Sequence, residues 1–205
     1  GDFGCHDLDA ATWGLGLGSP TRVESYAVGP TDDEIAPHGC TIYYDFPATD
    51  SRPAVRLTWH DGGVKPRTPE ALGKFPLSRR GVMFVGSKGV IQCDGAGGAP
   101  RIFPEALRNA VGKAPVTIKR SNGHHRDWID ACKGKSNNVV HGTSTKTHCD
   151  FDYAGSMMEQ MLLGLIAHRA GKKLEYDPAT GRVTNHSEAN DWLKRKYREN
   201  WTLNG

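Results

Sequence analysis

The chain has 205 residues, with 26 Lys and Arg against 23 Asp and Glu. That length supports one large domain or two small ones with a real core, while a net charge of +3 is too small to argue for nucleic acid. No apolar run approaches a membrane span, and the five cysteines, Cys5, Cys40, Cys93, Cys132 and Cys149, are scattered without C-x-x-C spacing, which fits free thiols in a reduced compartment better than disulfides or zinc.

The opening residues, Gly1-Asp2-Phe3-Gly4-Cys5-His6-Asp7-Leu8-Asp9, lead into helical apolar spacing at Leu8, Ala11, Thr12 and Leu15. A helix starting near Gly4 or Cys5 puts His6 in its first turn and Asp2 just before it. Two readings of this pair stand side by side. A carboxylate beside an imidazole holds the ring in one tautomer and tunes its basicity near neutral pH. Alternatively, Asp2 caps the helix and His6 is a packed polar residue. Gly14, Gly16, Gly18 and Pro20 then end the helix. These glycines follow a helix and have the wrong spacing for the G-x-G-x-x-G dinucleotide loop, and Gly95-Ala96-Gly97-Gly98 fails the same test.

Residues 22–28 alternate as a strand, with Val23, Ser25 and Ala27 on one face. A turn-rich loop over 29–39 leads to a second strand at 41–46, and a third follows at 54–59 with Val55, Leu57 and Trp59 on one face. Residues 65–80 hold three prolines and read as an ordered surface loop. A hairpin follows, 81–86 and 89–93 around Ser87-Lys88. A second loop runs from 94 to about 115 with a helical turn at 104–111, and 116–119 is short and strand-like.

Helical spacing over 127–133 places Trp128, Ile129 and Cys132 on one face, with Trp128 assigned to the core. Residues 134–147 are polar, and Asp150 or Asp152 caps a helix over 153–170 whose apolar positions are Met157, Met161, Leu162, Leu165 and Ile166. Gly171 stops it, Leu174-Glu175-Tyr176 is a strand edge, and Ser187 begins a last helix with Glu188 in its first turn and the basic run around Lys194-Arg195-Lys196 in its last. The order of elements indicates an α+β fold with a mostly antiparallel sheet.

Asp2-Phe3-Gly4-Cys5-His6-Asp7-Leu8-Asp9 resembles the D-x-G-x-H-x-x-D signature of the Gfo/Idh/MocA oxidoreductases, where it opens the C-terminal domain straight after the nucleotide-binding domain. Trp59-His60-Asp61-Gly62-Gly63, the run from Gly123-His124-His125 to Lys133-Gly134, Phe151-Asp152-Tyr153-Ala154-Gly155, and the segment from Leu162-Leu163-Gly164 to Tyr176-Asp177 resemble the bacterial branch of that family. The resemblance implies that residues 1–205 are a substrate-binding and oligomerisation domain. Its fold would be an open, mostly antiparallel sheet with helices packed on one face, as in the glyceraldehyde-3-phosphate dehydrogenase C-terminal domain, and the Rossmann domain would lie elsewhere.

The implied activity is NAD(P)-dependent oxidation of a CH–OH group of a sugar or polyol, with His6 moving the proton and Asp2 orienting it. The family's usual lysine and its NAD or NADP site belong to the nucleotide-binding domain, so this chain alone is expected to bind no cofactor and to be inactive. Polyhydroxylated rings call for aromatic stacking and many hydrogen-bonding groups. Trp59, His60 and Asp61 offer both, and His124 and His125 offer donors at a helix entry. Core packing for Trp59 and helix capping for the two histidines remain the competing readings. The implied partners are a carbohydrate and further copies of the chain, as a homo-dimer or homo-tetramer through the open sheet face, with neither nucleic acid nor membrane. An NAD-dependent glycoside hydrolase of the same superfamily and a non-catalytic assembly module are the alternatives. The thiols favour the cytoplasm, or the periplasm if an export signal precedes Gly1.

Overall fold

The structure, a computed structural model, describes residues 2–32, 34–136 and 145–201. In chain order the elements are α1 (Gly4–Asp7), α2 (Asp9–Leu15), β1 (Arg22–Val28), β2 (Gly39–Phe46), β3 (Val55–His60), β4 (Gly81–Val85), β5 (Val90–Asp94), β6 (Gly98–Phe103), α3 (Glu105–Val111), α4 (His124–Cys132), α5 (Phe151–Ala170), β7 (Leu174–Asp177) and β8 (Arg182–Val183). Short 3-10 turns lie at Glu70–Leu72, Gly95–Gly97 and Ser187–Trp192. The chain is an α+β protein with antiparallel sheets. It divides into two compact units, one of Gly1–Thr68 with Glu159–Gly205 and the other of Pro69–Met158.

The first unit is a five-stranded sheet in the order β3-β2-β1-β7-β8, antiparallel throughout. Alternation along the strands sorts residues to two faces. Val23, Ile42, Tyr44, Phe46, Leu174 and Tyr176 are buried on one. There α5 packs so closely that a Cβ on Gly164 would lie 2.1 Å from the Tyr44 hydroxyl and 3.1 Å from Ile42. Periodicity places Leu162 and Leu165 inside, but they are 47% and 42% exposed. Ile166 is buried as expected, and the other buried positions from Glu159 onward are Gln160, Leu163, Gly164 and Ala167. The phase differs because the contact line of α5 runs through a glycine and a glutamine, which a hydrophobic pattern does not count.

That glutamine is satisfied. Its Nε2 donates to the Gly18 carbonyl at 2.8 Å and its Oε1 accepts from the Thr12 hydroxyl at 3.3 Å, as a polar group in the core requires. Beside it the Ser19 hydroxyl donates to Glu159 at 2.7 Å, and the Tyr176 hydroxyl donates to the other carboxylate oxygen. Burial and the Glu159 charge both push the Tyr176 phenol up. Gly16 ends α2 in the left-handed conformation, φ 56°, its N–H closing on the Thr12 and Trp13 carbonyls, and Gly171 ends α5 at φ 59°.

The last helix expected from Ser187 is a 3-10 turn that stops at Trp192, and the basic run beyond it is not helical. Asn190 explains the tightness, since its side chain takes the Val183 N–H at 2.9 Å and donates to the Val183 and Ser187 carbonyls, each at 3.0 Å.

The second unit holds a separate three-stranded sheet, β4-β5-β6, so the strands do not form one continuous sheet. The expected hairpin is present, closed by Gly86 N–H to Gly89 O at 2.9 Å. Leu72, Val90 and Phe103 form its core, with Phe75, Leu77 and Met83 packed against them, and the Arg101 guanidinium lies 4.6 Å over the Phe75 ring. β6 replaces part of the loop expected from residue 94. Gly98 and Pro100 obscure it, and the register slips between Gln92 and Asp94, where a residue without an N–H is tolerated. Residues 116–119 join no strand.

α4 turns the other way from the expected packing. Asp127, Asp130 and Ala131 are buried, while Trp128 is 64% exposed and Ile129 and Cys132 also face solvent. The two carboxylates go inside because each has a partner, Asp127 with His148 and Asp130 with Arg126 at 2.9 Å. Asp150 is the cap of α5, accepting the Tyr153 N–H at 3.0 Å. Within the polar stretch expected over 134–147, residues 137–144 lie outside the described residues. Among the described residues no helix is long and apolar enough to cross a membrane, and none of the five cysteines forms a disulfide.

Candidate functional site

Asp2 precedes α1, and His6 lies on that single-turn helix. The turn is anchored from beneath, because a Cβ on Gly4 would approach the Met161 sulfur of α5 to 2.3 Å. A side chain at this position would have to push the flexible Met161 thioether aside. Asp2 and His6 are both exposed. Their backbones serve the turn, His6 N–H reaching the Phe3 carbonyl at 3.1 Å and the Cys5 thiol reaching the Asp2 carbonyl at 3.2 Å. Among the described residues no hydrogen bond or ion pair joins the Asp2 carboxylate to the His6 ring. The arrangement gives two solvent-open groups on a fixed support, free to meet a hydroxylic ligand and not locked onto each other.

Trp59, His60 and Asp61 lie at the end of β3, and the pleat separates them. Trp59 stands opposite Ile42, on the helix-covered face, and His60 stands opposite Thr41, on the other face. The His60 Nδ1 lies 3.3 Å from the Thr41 hydroxyl, and burial pushes its basicity below the usual imidazole value. Asp61 begins the turn after β3. Its N–H donates to the Cys40 carbonyl at 2.9 Å, and its carboxylate accepts the Gly62 N–H. Burial, and then the charge of Asp61, hold the Cys40 thiol protonated by raising it above its ordinary value. Trp59 and His60 therefore serve opposite sides of the sheet.

In the second unit, His124 and His125 are the first two residues of α4, both exposed, after Gly123 at φ 98°. Next to them is a pair that spacing did not suggest. The buried Asp127 carboxylate accepts the His148 main-chain N–H on one oxygen and lies against the His148 Nδ1 on the other, each at 2.9 Å. Burial raises Asp127, but the two His148 contacts and the His124 charge outweigh it, and the carboxyl sits below its ordinary range. Among the described residues, the other ring nitrogen of His148 is buried without a hydrogen-bond partner. A carboxylate-held imidazole thus exists in this chain, at Asp127 and His148 rather than at Asp2 and His6. His148 falls in a polar stretch without periodicity, 21 residues from Asp127, so only the three-dimensional fold reveals it.

A shallow pocket of about 330 Å³ opens in the first unit between Thr21, Arg22, Asp45, Glu175, Asp177 and Thr184. It lies toward the Asp45 end of β2, away from the Thr41 end that pairs with His60. Its carboxylates are already engaged: Asp45 by Arg56 at 2.6 Å, Glu175 by Arg22 at 3.5 Å, and Asp177 by the Thr180 hydroxyl at 2.7 Å. The pocket is therefore a by-product of the ion pairs, and it carries no chemistry of its own.

Among the described residues, neither glycine run is built as a dinucleotide loop. The amides of Gly16 and Leu17 are used closing α2 onto the Thr12 and Trp13 carbonyls, and this is the carbonyl pole of a helix, the wrong end for phosphate. Gly95–Gly97 forms a 3-10 turn that leads into a strand, not a helix. Among the described residues no cluster of three His, Cys, Asp or Glu side chains could hold a metal ion. No protein-family model, no curated protein and no solved structure matches this chain.

Proposed function

We propose that the chain is the substrate-side part of an NAD(P)-dependent oxidoreductase of the Gfo/Idh/MocA type, acting on a CH–OH group of a sugar or polyol and built like the C-terminal domain of glyceraldehyde-3-phosphate dehydrogenase. The observation that carries the reading is the opening motif in its setting. Asp2 and His6 are solvent-open on a helical turn that Gly4 seats against Met161. In this reading His6 accepts the proton of the reacting hydroxyl, and Asp2 accepts a hydrogen bond from another hydroxyl of the substrate. The cofactor supplies the hydride acceptor from a nucleotide-binding part outside this chain. Within the first unit, His60 and Asp61 offer hydrogen bonds to a hydroxylated ligand at the end of β3, and Trp59 supports the sheet from its covered face.

The test uses the longer polypeptide carrying both parts. His6→Ala is expected to lower turnover by roughly a hundredfold or more, the usual weight of a general base, with an unchanged far-UV spectrum. Undiminished turnover would remove His6 from the reaction. The isolated chain is expected to show no NAD(P) binding by calorimetry.

A second reading, assembly through the open sheet face, is favoured by one observation. Across four strands that face carries Arg56, Asp45, Arg22 and Glu175 side by side. The signs alternate, so the row read backwards is its own complement. Two copies related by a two-fold axis would set every cation of one against an anion of the other. Tyr26 and Tyr43, edge to face at 6.0 Å, add an aromatic patch beside it.

A further inference from the structure

We propose that residues 116–119 are a strand without a sheet in this chain, and that they pair with the open sheet edge of an acidic partner protein. Val116-Thr117-Ile118-Lys119 has the β-branched composition of a strand, and Pro115 stands where a strand tolerates proline, at its start. Yet the segment joins neither sheet, and among the described residues its peptide groups make no backbone hydrogen bond. Val116 is 87% exposed and Ile118 48% exposed. Every residue from 109 to 126 is exposed.

The charges around it are of one sign. Residues 109–126 contain no carboxylate; Arg126 is engaged with Asp130, and Lys113 and Lys119 flank the segment. In the helix that follows, Asp127 and Asp130 are buried while Trp128 is 64% exposed. Unpaired peptide groups supply main-chain affinity for a sheet edge, alternating side chains set register, and the cations select an acidic rim. Pairing of the segment with its own copy would bring the same cations against themselves. A bilayer would leave the peptide groups unsatisfied in hydrocarbon. Single-stranded nucleic acid would need a row of stacking rings, where this surface has Trp128.

The probe is a short fluorescein-tagged synthetic peptide alternating glutamate and valine, titrated with the chain by fluorescence polarisation. Saturable binding is expected. It should weaken roughly tenfold or more when alternate peptide nitrogens are methylated, when lysine replaces glutamate, or in Thr117→Pro. Lys113→Glu with Lys119→Glu, which leaves the peptide groups intact, should weaken it comparably. Equal binding of the methylated peptide overturns the proposal, because main-chain pairing would then play no part. So does tighter binding of oligothymidylate or of phosphatidylserine-containing vesicles, or self-association that Thr117→Pro abolishes.

Discussion

Gly62 shows how one missing side chain can fix a turn. A Cβ there would lie 1.9 Å from the His38 carbonyl oxygen and 2.3 Å from the Gly39 Cα, at a φ of 62°. Those atoms are backbone and cannot step aside. Gly63, the next residue, is also left-handed at φ 86° but has nothing within 4 Å. Gly62→Ala should therefore destabilise by about 2–4 kcal/mol, and Gly63→Ala by only about 1 kcal/mol of backbone strain, in urea unfolding. Similar losses for the two would mean that the close approach has no energetic weight. The motif Trp59-His60-Asp61-Gly62-Gly63 is visible in the sequence, but the reason for its first glycine is not. That reason is a second stretch of backbone, arriving from residues 38 and 39.

At the scale of elements, local signals were legible and distant partners were not. The strands at residues 22–28, 41–46 and 54–59, the hairpin, and the stops at Gly16 and Gly171 follow from alternation and turn chemistry. α4 does not. Its apolar residues Trp128 and Ile129 share a face, yet Asp127 takes the interior because His148 meets it there. β6 hides behind Gly98 and Pro100 for the same kind of reason, since β5 supplies its pairing.

The Asp127 contact has a pH signature. The folded carboxyl lies below its ordinary value, so the folded state binds fewer protons than the unfolded one. The contact's contribution is complete above the unfolded carboxyl value of about 3.9 and is lost as pH falls through the folded value. Asp127→Ala should cost about 2–3 kcal/mol at neutral pH, as for a buried charge-assisted hydrogen bond. Asp127→Asn should flatten the acid limb of the urea midpoint measured between about pH 5 and pH 2. An unchanged limb would show that the carboxylate is not what holds His148.

At the scale of the whole molecule, the α+β class and the antiparallel pairing were readable from element order, because helices and strands segregate along the chain. The division into two units and two sheets was not, since it depends on which strands find each other. The open face also changes character once register is known. Sequence alternation suggests aromatic and β-branched residues there; the register adds the row Arg56, Asp45, Arg22 and Glu175. Being largely exposed, these ion pairs add little to folding. Their regular order bears on association. Arg22→Glu puts like charges together on paired faces, and sedimentation should show the dimer constant weakened roughly tenfold or more, with wild-type association falling as salt rises. A salt-insensitive dimer that tolerates the substitution would assign assembly to another surface.

Gln160 gives α2 a long-distance tether. Its amide joins Thr12, 148 positions earlier in the chain, to α5, and it also fixes the Gly18 carbonyl where the chain leaves α2. The seat of α2 on α5 is therefore held by one side chain far along the sequence, and a change at Gln160 would loosen that seat while every residue of the opening motif stays the same.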